Sequence, residues 1–464
     1  MELNTSLESS SRVELLRKYN VPGPRYTSYP TVPFWRDSPT QDQWVDALAS
    51  GFSQENTLGG ALYIHIPFCK SLCTYCGCNT RITRNPAVTG PYIQALKKEW
   101  ALYRSLLGFQ SKSMRLGEIH LGGGTPTFLS PDELKQLLGG ILETIEVPEG
   151  AEFSVEADPR VTTREHLSSL AKLGFTRLSL GIQDFDPKVQ EIVHRVQTED
   201  QVREVTETAR ELGFTSVNYD LIYGLPLQTV HSVRDTIDAV RRLRPDRIAF
   251  YGYAHVPWIK PSHRRFTEAD LPAGESKRAL YELGRQMLEE VGYQEVGMDH
   301  FALTTDSLWI AAQEKRLHRN FMGYISREVH PQIGLGVSSI GDAWTVFAQN
   351  EKTLETYQER VEKGELPIHR GHVLSSEDLI LRRHILNLMT HLETSWNDSA
   401  AQTDYLLTVT EKLRALEADG LLVLNGSQCR VTELGRACLR NICMAFDARL
   451  ARSQPQTNLF SKTI

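Results

Sequence analysis

Between about residue 60 and residue 255 the chain alternates short apolar runs with longer stretches whose apolar residues recur at helical spacing. The runs read ALYIHI, GEIHLGG, EFSVEA, RLSLGIQ, SVNYDLIYG and RIAFYGY, each of strand length. Intervening stretches such as PYIQALKKEWALYRSLL and QVREVTETARELGF are amphipathic and long enough to cross back over a sheet. This alternation predicts an α/β fold of βα units on a parallel sheet, either open or curled into part of a barrel. Several runs end in a polar or glycine-rich group: Gly122 to Thr125, Glu156, Gln183 and Asp220. In parallel α/β folds the carboxyl ends of the strands surround the ligand site, and a carboxylate buried there is unfavourable unless something pairs with it. A helix cap accounts for any one of these groups. A polar ligand accounts for the set.

The flanking patterns differ. A weak helical stretch from Arg12 to Tyr19 precedes the proline-punctuated VPGPRYTSYPTVPF, and a second helix is predicted from near Gln41. Pro22, Pro24, Pro30 and Pro33 keep the middle extended, as in a surface arm. Arg25, Tyr26 and Tyr29 nevertheless suit a flat anionic ligand, because Arg pairs with carboxylate while aromatic faces cover a ring. After about residue 345, SSEDLILRRHILNLMTHL and DYLLTVTEKLRALEADGL read as helices, LLVLNGSQCRVT as a hairpin turning at Asn425-Gly426, and TELGRACLRNICMAF as a final helix. That order resembles a winged-helix module, whose common use is DNA binding. Residues 376–445 hold seven Lys and Arg against nine Asp and Glu, the wrong balance for a phosphate-facing surface, so a scaffold or lid is expected. The predicted divisions are an arm over residues 1–55, a central domain over 56–345 and a mostly helical domain over 346–464.

Composition narrows the chemistry. The 464 residues are 41% hydrophobic and 23% charged, enough apolar material for one large domain and a smaller one. A formal net charge of -6 argues against a broad nucleic-acid footprint, so an anionic ligand must be held by a local cluster of Arg, Lys and backbone N–H groups. The amino terminus lacks a basic segment followed by an apolar run, and nowhere do eighteen uncharged apolar residues follow one another. The expectation is a cytoplasmic protein without a membrane span, and nothing in the chain demands more than a monomer. In that reducing compartment clustered thiols serve as metal ligands or redox groups more often than as disulfides. Four of the seven cysteines fall in CKSLCTYCGC, residues 69–78; Cys429, Cys438 and Cys443 read as ordinary buried thiols.

Three uses compete for the spacing Cys69-x3-Cys73-x2-Cys76-x-Cys78. Structural zinc normally takes two separated pairs of ligands, whereas here all four lie on one loop. A redox pair of Cys73 and Cys76 leaves Cys69 unexplained. A loop wrapped around an iron–sulfur cubane fits best, since closely spaced cysteines are its usual ligands.

The C-x3-C-x2-C arrangement directly after the first strand, with Tyr75 before the third cysteine, resembles the radical S-adenosylmethionine superfamily. The likeness extends through PRYTSYPT, HIPFCKSLCTYCGCN, LGGGTPTFL, SVEADPR, LGIQDF, VHRVQ, DLIYGLP, YAH, GMDHFAL, LHRNFMGY, GVSSIGD and RNICMAFD, in order over nearly the whole chain. Together these resemble the oxygen-independent coproporphyrinogen III oxidase family. Heme chaperones that share the central domain are the nearest rival; the PRYTSYPT arm and the HRNFMGY segment favour the oxidase.

The resemblance implies a partial (β/α)6 TIM-like barrel, with an amino-terminal arm covering the active site and a winged-helix-like carboxy-terminal module. It implies a 4Fe-4S cluster held by Cys69, Cys73 and Cys76 with one open iron, Cys78 being a neighbour. S-adenosylmethionine chelates that iron and is split by one electron into methionine and a 5′-deoxyadenosyl radical. The family reaction converts coproporphyrinogen III to protoporphyrinogen IX by oxidative decarboxylation of the ring A and B propionates, with an electron donor and an acceptor that the sequence does not name. Two molecules of S-adenosylmethionine are implied, and the positions carried over for them are Tyr63, Tyr75, Gly123, Gly124, Thr125, Glu156, Gln183, Arg195, Asp220, Ala254 and Ile340. Arg25, His300 and the pair His318-Arg319 are candidates for substrate carboxylates or pyrroles. The segment VPWIKPSH around Trp258 has no counterpart in the resemblance.

Overall fold

The computed structural model describes residues 14–53, 58–453 and 459–463. Arg12 and Val13 of the expected first helix lie outside them, as do residues 54 and 55 of the expected arm and residues 454–458 and 464 of the last domain.

Six strands form the centre: β1 (Gly60–Ile66), β2 (Met114–Gly123), β3 (Glu152–Ala157), β4 (Arg177–Gln183), β5 (Ser216–Tyr223) and β6 (Arg247–Gly252). They pair in parallel and in chain order. Parallel strands covered on both faces read as continuous apolar runs, and β1 is buried at every position but Tyr63. The helix α1 (Gln41–Ser53) precedes β1; α2 (Thr89–Leu106), α3 (Pro131–Leu142), α4 (Arg164–Lys172), α5 (Glu199–Glu211) and α6 (Val230–Leu243) are the crossovers, and α7 (Glu275–Glu290) follows β6. Local sequence starts them sharply. Ser130 and Glu133 reciprocally cap α3, and Thr198 and Gln201 do the same for α5.

The sheet is open, as a partial barrel requires, because β1 and β6 are not neighbours. Beyond β6 the antiparallel β7 (Tyr293–Val296) and β8 (His300–Leu303) extend one edge. Beyond β1 stand the parallel β9 (Gln332–Leu335) and then the antiparallel β10 (Ile340–Asp342), β11 (Val346–Asn350) and β12 (Ile368–Val373). The sheet thus runs past the division expected at residue 345, and its core still includes Tyr357, Val361 and Leu366. β10 and β11 are short and mostly or wholly buried, so they carry no alternation for a pattern to detect, and the part-buried β12 has none either. At the other end Trp44 and Leu48 of α1 belong to the same core, with Trp44 donating to Tyr103 Oη at 3.0 Å.

The second hydrophobic core holds α8 (Ser376–His391), α9 (Asp404–Ala418) and α10 (Leu439–Ala445) with a small antiparallel sheet. Its hairpin pairs Asn425 with Gln428, which puts Gly426 and Ser427 in the turn. Tyr26 and Tyr29 are buried in this core, and Tyr26 donates to Asp447 at 3.0 Å. The two rings expected to cover a ligand instead fasten the arm to the carboxy-terminal module. Burying two aromatic side chains stabilises by several kcal/mol, roughly. Cys429, Cys438 and Cys443 are buried free thiols, as expected.

Candidate active site

The carboxyl ends of β1 to β5 open into a cavity of about 530 Å³ lined by the cysteine loop on one side and by strand-end residues on the other. Backbone hydrogen bonds shape the loop. Arg81 N donates to Pro67 O at 2.7 Å and Thr83 N to Cys69 O at 2.9 Å, closing the two ends of the loop on each other, while Thr74 N donates to Val193 O at 3.1 Å and pins the middle to the segment after β4. The glycine run after β2 lies against it, Gly124 N donating to Ile66 O at 2.8 Å. A Cβ on Gly124 would stand 2.7 Å from Pro67 O and 3.0 Å from Cys69 Sγ, and one on Gly123 (φ 115°) would stand 2.7 Å from the His65 ring. These two positions therefore demand glycine. Cys69 Sγ lies 3.4 Å from Thr125 Oγ1, while Cys73 Sγ accepts from Arg195 Nη1 at 3.7 Å and from Arg160 Nη2 at 3.9 Å.

The donor set discriminates between metals. Among the described residues, the group of three metal-ligating atoms lying within 4.8 Å of one another is His318, Glu328 and His330; no trio from the cysteine loop draws in so closely. One tetrahedral zinc would need its sulfurs closer than that, at roughly 3.8 Å for a Zn–S bond of about 2.3 Å. Wider spacing suits thiolates that each bind a different iron of a cubane. Two guanidiniums beside Cys73 further offset the negative charge of such a group.

Across the cavity β3, β4 and β5 present Glu156, Gln183 and Asp220. Glu156 Oε2 accepts from Gly123 N at 3.1 Å, and Oε1 lies 3.3 Å from His120 Nε2, whose other nitrogen meets Ser154 Oγ at 2.6 Å. Burial pushes the Glu156 carboxyl up, but these partners outweigh it and hold its pKa below the ordinary value. Asp220 accepts from Ser179 Oγ at 3.1 Å and from Asn218 Nδ2 at 2.9 Å. Burial, then the charge of Glu156, raises it to about 7. Near neutrality Glu156 is therefore an acceptor only, whereas Asp220 is close to its midpoint and donates in the protonated share of the molecules. Gln183 sits at φ 71° beside a register shift in β4, a strained turn that brings its amide to 2.9 Å from a Cβ built on Gly181.

Arg195 is buried and multiply anchored. Its Nε donates to Gly181 O at 2.9 Å, and its Nη1 lies 3.4 Å from Asp158 Oδ2. Burial raises the Asp158 carboxyl, but Arg195 and Arg160 reverse this and hold it below the ordinary range. Sequence reasoning did not single out His120, Asp158 or Arg160, although GEIHLGG and SVEADPR contain them; strand alternation, with His120 two positions before Gly122, was the usable signal.

Tyr75, Gly123, Gly124, Thr125, Glu156, Gln183, Arg195 and Asp220 all line the cavity. Tyr63 stands just behind, stacked on His120 at 5.8 Å between centroids. Ala254 follows β6 outside this cavity, and Ile340 packs with Trp35 and Phe347 two strands beyond β1. A second cavity of about 210 Å³ penetrates the barrel interior, shares Glu156, Ser179 and Asp220 with the first, and is walled by Tyr251 and His300. His300 Nδ1 is 2.7 Å from Asp299 Oδ1. Arg319 is buried over the Tyr324 ring at 4.4 Å, with Nε and Nη1 lacking any hydrogen-bond partner. Arg25 donates to Gly252 O at 2.5 Å, at the carboxyl end of β6. Trp258 is largely exposed.

Comparison with known proteins agrees with this geometry. Residues 63–240 match the Radical SAM superfamily. Oxygen-independent coproporphyrinogen III oxidase from Helicobacter pylori is 38% identical over 457 residues, covering 97% of this chain and 99% of that protein. The chain belongs to the oxygen-independent coproporphyrinogen III oxidase family. The Escherichia coli oxidase of the same name is also 38% identical, over 97% of this chain. The solved structure of coproporphyrinogen III oxidase (HemN) from Escherichia coli, a radical SAM enzyme, superposes with a TM-score of 0.84 at 36% identity, covering 91% of this chain and 97% of that one. Membership of the oxidase family, rather than a shared central domain alone, extends through the arm and the carboxy-terminal module. No helix among the described residues is long and apolar enough to cross a membrane.

Proposed function

We propose that this oxidase-family chain converts coproporphyrinogen III to protoporphyrinogen IX without molecular oxygen, by oxidative decarboxylation of two propionates, as a step of heme biosynthesis. The observation that carries the reading is the cysteine loop, with the Gly123-Gly124 run packed against it, facing Glu156, Gln183 and Asp220 in one strand-end cavity, in a chain alike to the oxidases over 97% of its length. Cys69, Cys73 and Cys76 would hold the 4Fe-4S cluster, with Cys78 beside it. When bound, cluster and S-adenosylmethionine together supply a one-electron cleavage that yields a hydrogen-abstracting carbon radical.

The chain's own residues position and shield. Gly123 and Gly124 let backbone approach a ligand carboxylate, and Glu156, kept ionised, accepts from an ammonium. Asp220 serves a ribose hydroxyl, accepting or donating according to its proton. Arg195, fixed through Gly181 O and Asp158, offers its remaining donors to a carboxylate. Tyr63 and Tyr75 exclude water, which matters because a primary carbon radical attacks any misplaced C–H bond. The continuity of the two cavities through Glu156, Ser179 and Asp220 supports a second S-adenosylmethionine deeper in the barrel; Ala254 and Ile340 line neither cavity. Arg319, whose buried donors lack partners, is suited to a substrate carboxylate, and His300 to a pyrrole or carboxylate beside it.

The test is an anaerobic assay of the cluster-loaded protein with coproporphyrinogen III, reductant and S-adenosylmethionine, following tetrapyrroles by mass. Two successive losses of carbon dioxide with two hydrogens are expected. Stoichiometric transfer of heme with no vinyl product would overturn the reading.

A further inference from the structure

His318, Glu328 and His330 bring two imidazoles and a carboxylate together away from the cysteine loop, with ligating atoms that all lie within 4.8 Å of one another. The local chain explains the meeting. Strand His318–Asn320 folds back on strand Gly323–Ile325, pairing His318 with Ile325, so the residues that follow Ile325 run on past His318. Glu328 and His330 stand two positions apart in the stretch leading into β9, with the buried Val329 between them, a spacing that suits one side of an extended segment. His318 Nδ1 lies 3.9 Å from Glu328 Oε2 and His330 Nε2 lies 3.7 Å from Glu328 Oε1, so one carboxylate spans both rings. The rings meet edge to face, 5.3 Å between centroids. These separations are too long for hydrogen bonds. His318 is 3% exposed, and among the described residues its ring makes no hydrogen bond at all. An imidazole buried without a partner is unfavourable by about 1 to 3 kcal/mol, which a ligand between the three groups would offset.

Two imidazole nitrogens and a carboxylate oxygen suit a divalent transition-metal ion. A tetrahedral centre with bonds of about 2.0 to 2.1 Å holds its donors roughly 3.3 Å apart, so the three groups need draw in by no more than about 1.5 Å. The neighbouring cations are held by other groups. Arg382 donates to Asp342 Oδ1 at 3.1 Å and to Trp344 O at 2.6 Å. Arg383 lies over the Trp344 ring at 4.2 Å and reaches Glu328 Oε2 at 3.4 Å from a half-exposed position, a contact worth little and easily given up.

None of the three residues lines the cluster cavity or the barrel-interior cavity. Successive residues of a strand face opposite ways, so the expected pair His318-Arg319 divides: Arg319 lies over the Tyr324 ring, and His318 faces Glu328 and His330. His330 adjoins Pro331, whose carbonyl accepts from Ala61 N at 2.8 Å in β1. An ion across the trio would thus tie the hairpin that carries Arg319 to the barrel wall.

We propose that His318, Glu328 and His330 form a site for one divalent transition-metal ion such as zinc, with water as the fourth ligand, that staples this hairpin to the barrel. The site is separate from the cluster and does not depend on the decarboxylase reading.

The test uses cluster-loaded protein, whose cysteine loop is already filled, dialysed anaerobically against micromolar zinc. The wild type should take up one zinc per chain beyond the cluster iron, and its melting temperature should rise. X-ray absorption at the zinc edge should show nitrogen and oxygen neighbours at about 2.0 to 2.1 Å and no sulfur. Glu328→Gln and His330→Gln should each weaken zinc by at least about tenfold and abolish its effect on melting. The first of these variants loses only the half-exposed contact with Arg383, so its zinc-free melting temperature should match the wild type, and it decides the matter whether or not His330→Gln folds. Absence of zinc from the wild type, equal zinc affinity in wild type and Glu328→Gln, or sulfur neighbours around the ion would each overturn the proposal. Magnesium that raised the melting temperature as much as zinc would do so too, because that ion takes oxygen ligands and would leave the imidazoles without a role.

Discussion

Asp220→Asn should make the protein more stable, increasingly so as pH rises. The side chain keeps its shape and can still accept from Asn218, but it no longer ionises. In the native protein burial and Glu156 hold the carboxyl at about 7 rather than its ordinary 3.8. The folded state thus binds this proton more tightly than the unfolded chain does. Stability is full below the unfolded value and is lost as pH rises toward the folded one, at about 1.4 kcal/mol per pH unit, reaching roughly 4 kcal/mol above pH 8. The asparagine variant is spared that loss and should gain roughly 3 kcal/mol on the wild type between about pH 5 and about pH 8. Urea unfolding of the two apoproteins at both pH values measures the difference directly. A difference that is flat, or that shrinks with pH, would refute the claim that the fold raises Asp220 well above the ordinary carboxylate range. The same variant should bind S-adenosylmethionine less well, because a destabilising carboxylate at a strand end is tolerated for the ligand it serves.

Cys69→Ser, Cys73→Ser and Cys76→Ser should each abolish S-adenosylmethionine cleavage, while Cys78→Ser should keep its iron and sulfide; metal analysis and cleavage assays under anaerobic conditions check both halves. Gly124→Ala should cost about 1 to 3 kcal/mol of stability, because its methyl meets Pro67 O and Cys69 Sγ, and should lower iron content measured per chain. Arg319→Gln should raise KM for coproporphyrinogen III about tenfold while leaving uncoupled S-adenosylmethionine cleavage intact, and equal losses in both would show that the residue only supports the fold.

Sequence made the strand-end rim readable because each residue there owes its position to a local rule. A buried parallel strand is a short apolar run, its carboxyl end is where the run stops, and so Glu156, Gln183 and Asp220 could be placed on one rim before any contact was known. The cysteine loop was readable for the same reason: its four cysteines lie within ten positions. What escaped depends on pairs far apart in the chain. Tyr26 meets Asp447, Trp35 stacks on Phe347, and Lys277 shares a cavity with Arg25 and Lys462. No periodicity within a window of a dozen residues registers such a pairing, and the short buried strands after residue 340 have no alternation to betray them.

This division has a functional meaning. The rim that would bind cluster and cofactor is built along neighbouring strands and is legible strand by strand, while the anchoring of the arm exists only once arm and carboxy-terminal module have come together. That anchoring would then depend on the completed fold, whereas the cofactor site depends on the barrel. Loosening the arm, for example by disturbing Tyr26 against Asp447, should therefore lower the melting temperature before it lowers the iron content per chain.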